Sequence, residues 1–187
     1  MAPVKRGIGQ GDYLSGPAPL EYLIGPAAPT WRMRPLMTNL MRVHDHVTVA
    51  IAIVPYSQAL VELSVKENTP EPKREQELQE RSTYYKDETC FIVEAATRSE
   101  STARFNRWTG TAQNAGGTPQ RLIFKAGTFL KDLPVQSRKY FPRYEWENST
   151  LACTEKLDLS RPFKVGIVVP GPGDDDEPAD PVIFGWN

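Results

Sequence analysis

His44-Asp45-His46 carries the only two histidines of the chain. In an extended segment, residues two apart project to the same side, so both imidazoles can grip one divalent metal ion or a small ligand. A protein metal site of this kind takes three or four ligands, and spacing singles out no third residue. The simpler account is a pair of ordinary polar residues at a strand entrance. His44 and His46 are the metal candidates on this reading, and no cofactor is otherwise expected.

Cys90 and Cys153 are the only cysteines. Each stands in an apolar, strand-like context, Thr89-Cys90-Phe91-Ile92-Val93 and Leu151-Ala152-Cys153. If the two strands are neighbours, a bridge between them closes a long loop. Removing that loop's closure entropy from the unfolded chain contributes about 4 to 5 kcal/mol. A bridge implies an oxidising compartment and an exported protein. Two separate buried thiols imply a cytoplasmic one. Met1-Ala2-Pro3-Val4-Lys5-Arg6-Gly7 is not followed by the apolar run of a signal peptide, so export requires a leader that has been removed. Without CxxC spacing, the two cysteines outline no zinc framework.

Other chemistry-bearing stretches are weaker. Arg138 to Trp146 and Arg104-Phe105-Asn106-Arg107-Trp108 interleave basic and aromatic residues, as single-strand nucleic-acid binders do. Alternating core aromatics with solvated basic neighbours produce the same pattern. Asp174-Asp175-Asp176-Glu177 with Asp180 is dense in carboxylates but lacks calcium-loop spacing, and reads as a solvated acidic loop. Asn148-Ser149-Thr150 satisfies the glycan-acceptor rule. His44 and Asp45 point to opposite sides of a strand, so they cannot form the histidine–carboxylate pair a nucleophile needs. Gly7-Ile8-Gly9-Gln10-Gly11 has neither the preceding strand nor the following helix of a phosphate loop. A hydrolytic enzyme is a third reading, with no nucleophile nominated.

The elements that would hold these residues are mainly strands. Val47 to Val54 runs eight residues without a charge before Pro55, and reads as a strand buried on at least one face. Ala59 to Lys66 places Val61, Leu63 and Val65 at alternate positions, which predicts a half-exposed strand. The charged stretch Lys66 to Asp87 predicts a solvated surface, either a short exposed helix beyond Pro72 or a mobile loop. Thr89 to Ala95, Ala103 to Thr111, Gln120 to Lys125, Glu145 to Leu151, Phe163 to Val169 and Val182 to Trp186 complete the set. Asn114 to Pro119 supplies a hairpin turn.

These short strands, with no long amphipathic helix between them, predict an all-β fold: an antiparallel sandwich or barrel of about 7 to 8 strands with at most one or two short helices. Residues 41–187 form that domain. Residues 1–40 are rich in Pro and Gly and read as an extended arm. Tyr13, Tyr22 and Trp31 are among the apolar anchors that a solvated linker would lack.

The chain has 187 residues, 40% of them hydrophobic, with a formal charge of −1. That is enough for one real core. It gives no global field to hold nucleic acid, and no apolar run is long enough to be integral to a membrane as a helix. The expected function is therefore contact: a non-enzymatic structural or assembly subunit whose arm packs on a protein partner or a second copy.

Overall fold

In the computed structural model, which describes residues 4–5, 15–17, 40–45, 48–125, 146–171 and 180–187, the chain is mostly β. The chain begins with β1 (Val4–Lys5), β2 (Ser15–Pro17), β3 (Arg42–Asp45) and β4 (Val49–Pro55). Two helices follow, α1 (Gln58–Asn68) and α2 (Arg74–Lys86). The remaining strands are β5 (Thr89–Thr97), β6 (Thr109–Asn114), β7 (Gln120–Arg121), β8 (Ile123–Lys125), β9 (Trp146–Thr154), β10 (Phe163–Val168) and β11 (Val182–Trp186).

They form two antiparallel sheets. The larger runs β1-β9-β5-β4-β3-β2, with β8 also paired to β9, and the smaller runs β11-β10-β6-β7.

The unbroken apolar run at β4 has a structural cause: both of its faces are covered. Ala50, Ala52 and Val54 join Cys90, Ile92 and Leu151 on one face, under Leu60, Val61 and Val65 of α1. Val49, Ile51 and Ile53 join Phe91, Val93 and Ala152 on the other, against Phe163, Val165, Ile167, Phe184 and Trp186 of the smaller sheet. The molecule is thus a sandwich with a helical layer over one outer face. A strand covered on both sides has no solvent-facing position to mark with a polar residue, which is why alternation is missing there.

The segment expected as a strand over Ala59 to Lys66 is instead helix α1. Its apolar residues satisfy both periods. Val61, Leu63 and Val65 alternate, but Leu60, Val61, Ser64 and Val65 also fall on one helical face, and among the described side chains of the helix it is these four that are buried. Ser57 caps the helix: its Oγ accepts a hydrogen bond from the backbone of Leu60 at 3.3 Å, satisfying a donor that a helix start would leave orphaned. Helix α2 forms in the charged run, where a helix and a loop were both open. Glu75 and Glu77 lie in its first turn and Lys86 in its last, matching the helix dipole.

Two further boundaries move. Ala103 to Trp108 is not strand: Phe105–Arg107 makes a 3₁₀ turn, and the strand begins at Thr109. Gln120 to Lys125 is split at Leu122, so that β7 pairs with β6 in one sheet and β8 with β9 in the other. The hairpin turn lies where expected, with Gly116 at φ 74°, a conformation that glycine adopts at no steric cost. The close pairing of β6 with β10 depends on another glycine, because a Cβ on Gly110 would lie 2.8 Å from the carbonyl oxygen of Gly166.

Two pieces of the stretch read as an arm are described. Val4 and Lys5 pair with Glu147 and Trp146 of β9. Ser15, Gly16 and Pro17 pair with His44, Val43 and Arg42 of β3. They sit at opposite ends of the larger sheet's strand order. Tyr13, Tyr22 and Trp31 lie outside the described residues.

Candidate functional site

A cleft of about 630 Å³ opens at the end of the larger sheet, where the start of α1, the end of α2 and the loop after β9 converge. Tyr56, Ser57 and Gln58 form one wall, Tyr85, Glu88 and Thr89 a second, and Lys156 to Leu159 a third. Each wall is tied to the core. The Tyr56 backbone N–H donates to the Cys90 carbonyl at 2.8 Å. Thr89 Oγ1 accepts from the Leu157 N–H at 2.8 Å, and the Lys156 ammonium donates to the carbonyl of Tyr85. A reciprocal pair holds the third wall to the smaller sheet: Asn114 Nδ2 donates to the Asp158 carbonyl at 2.8 Å, and the Asp158 N–H donates to Asn114 Oδ1 at 3.1 Å.

The charges in the cleft are set locally. The hydroxyl and backbone N–H of Ser160 donate to Asp158, and these hydrogen bonds hold its carboxyl below the usual range. Burial raises the Tyr85 hydroxyl, and the nearby Glu62 carboxylate raises it further.

Tyr56 is also raised by burial, against a smaller downward pull from Arg81, whose guanidinium hydrogen-bonds it. Arg81 is itself buried and reaches Glu77 Oε1 at 2.8 Å through Nε. A folded value above the unfolded one means that the native state holds the Tyr56 proton longer. Its contribution to stability is fully present below about pH 10 and is lost as pH rises through the raised value. Tyr56→Phe should therefore flatten the alkaline fall in stability that sets in above about pH 10. Urea midpoints measured against pH read this directly, and parallel curves for variant and wild type would assign the fall to other groups.

Behind the second wall, Cys90 and Cys153 form a disulfide. They are directly opposed in the β5–β9 ladder, both are 1% exposed, and their Cα atoms are 4.0 Å apart. The two strand contexts left a bridge and two separate thiols both open, and the bridge is what forms. Glu88 lies two residues before Cys90, and its carboxylate and the two sulfurs all fall within 4.8 Å of one another. Lys125 Nζ contacts Glu88 Oε1 at 2.5 Å and lies 5.3 Å from the centre of the Tyr84 ring.

Among the described residues, the other sequence candidates are not drawn into this cleft. His44 is half-buried on β3, opposite Ile51 and Ser15. It alternates with Val43, which belongs to the helix-covered core, so it shares the sandwich-facing side with Arg42 and Ile51. His46 lies outside the described residues. So do residues 126–145, with most of the basic and aromatic run ending at Trp146, and residues 172–179, with the acidic run.

Phe105 and Trp108 are buried, their rings 4.8 Å apart, and Trp108 Nε1 donates to the Thr102 carbonyl at 2.7 Å. They are core residues and offer no stacking surface. Asn148 is buried with its amide donating to Ala103 O at 2.9 Å, which takes it out of reach as a glycan acceptor.

Glu88, Tyr56 and Lys156 escaped the sequence reading. Only Glu88 had a legible signal, its period-two spacing from Cys90 at the start of a strand. Among the described residues lining the cleft there is no histidine, and the one serine hydroxyl at the helix start is already spent as an N-cap acceptor. The cleft can bind polar groups, but those residues do not assemble a nucleophile with a base. No protein-family model, curated protein or solved structure matches this chain.

Proposed function

We propose that this chain is a non-enzymatic assembly subunit: a disulfide-braced sandwich that acts through protein contacts, lending its N-terminal stretch as edge strands. The observation that carries this reading is the pairing of Val4–Lys5 and Ser15–Pro17 at opposite ends of one sheet. Sheet edges present unsatisfied backbone donors and acceptors, and natural proteins cover them. Here the covering strands are two and three residues long, and both come from a stretch studded with Pro and Gly. The same backbone bonds can be made to a second copy of the chain, which is strand exchange at low cost.

Deleting residues 1–35 removes both covering strands and leaves the two cores intact. The full chain is expected to elute as an oligomer, and the deleted chain as a folded monomer. Identical elution volumes for the two, with near-ultraviolet circular dichroism confirming that both are folded, would refute the proposal.

A further inference from the structure

We propose that Glu88, Cys90 and Cys153 form a metal site that exists only when the disulfide is reduced, and that its ligand is a thiophilic divalent cation of the zinc class.

The geometry is already assembled. Strand pairing, not the bridge alone, sets Cys90 opposite Cys153 along a nine-pair ladder, so the two sulfurs stay neighbours once the bond between them is opened. Glu88 brings a carboxylate oxygen within 4.8 Å of both. Two thiolates and one carboxylate make the three-protein-ligand set with an open fourth position that zinc accepts.

Charge fits as well. Three anionic ligands around a dication leave one negative charge, and Lys125, which contacts Glu88 Oε1 at 2.5 Å, supplies the balancing cation. Access runs through the cleft, since Glu88 lines it and its side chain is 30% exposed, while the sulfurs themselves are shielded. Sequence spacing gives no hint that the two sulfurs meet, because 63 positions separate the cysteines.

The chemistry balances. A phosphine reductant gives two electrons to the disulfide and takes one oxygen from water to become the phosphine oxide, and the two protons of that water end on the two sulfurs as thiols. The cation then displaces both thiol protons as it binds, so occupancy falls as pH is lowered.

Cobalt(II) is the direct probe, because thiolate ligation gives it a charge-transfer absorption and tetrahedral d–d bands. The full chain, reduced with a phosphine under anaerobic conditions, is expected to bind one cobalt per chain with these bands, and zinc should bleach them. The oxidised chain should show none. Glu88→Gln should weaken binding by about tenfold or more, at least what loss of an outer-shell partner costs, and its oxidised form serves as the folding control.

A folded reduced chain without the charge-transfer band overturns the proposal. So does equal metal uptake by oxidised and reduced chains, or unchanged affinity in Glu88→Gln. Should reduction alone unfold the chain, recovery of near-ultraviolet circular dichroism on adding zinc supports the site, and failure to recover it counts against the site.

Discussion

Reducing the Cys90–Cys153 bridge should lower the stability of the native state by about 4 kcal/mol, the loop-closure entropy returned to an unfolded chain freed from a 63-residue separation. Little native-state relaxation should accompany it, since both cysteines sit in the same buried face and their strands are held by the full ladder between Thr89↔Thr154 and Thr97↔Trp146. A small domain has roughly 5 to 15 kcal/mol in all, so the reduced chain is expected to be weakened but not necessarily unfolded. Urea unfolding with and without a phosphine measures the difference, and coincident midpoints would show that the ladder alone confines the two strands. The same titration carried out with zinc present separates the two consequences of reduction: lost bracing lowers the midpoint, and a ligand that binds only the folded reduced state raises it again.

Phe91→Ala is expected to cost about 3 to 5 kcal/mol, the range for emptying a large aromatic site in a core that closes only partly over the void. Phe91 is fully buried and stands at the centre of the sandwich, with its ring centroid 6.1 Å from both Phe163 and Trp186 of the smaller sheet. Those two stack on each other at 4.7 Å with an interplanar angle of 10°. Neither can move into the space without abandoning the other. Trp186 is pinned further, because its Nε1 donates to the carbonyl of Leu40 at 2.6 Å and the Arg42 guanidinium lies 5.3 Å from its ring centre.

The contrast is Ile183→Ala on the outer face of the same sandwich. Ile183 is 56% exposed, and its truncation should stay within about 0.5 kcal/mol. Equal denaturation midpoints for the two variants would mean that the sandwich interior does not carry the stability assigned to it.

The all-β character, the hairpin at Asn114 to Pro119 and the last two strands were readable in the residues, because each depends on local chemistry: β-branched runs for strands, Asn and Gly for the turn, prolines for the breaks. For the charged run beyond Pro72, local chemistry left a helix and a loop both open. What local chemistry left open was settled by neighbours distant in the chain. Ala59 to Lys66 satisfies both a strand and a helix period, and only the uncovered face of the larger sheet, which a helix fills, selects the second. Phe105 and Trp108 had the composition of a stacking surface until the sandwich enclosed them. Cys90 and Cys153 were two apolar thiols with an undecided relation until the β5–β9 register set them opposite one another, with Glu88 two residues away on the same strand path. Residue types dictate which contacts are possible, whereas the pairing of strands far apart in sequence is a choice among many registers of similar local energy, and burial of both faces of one sheet makes that choice.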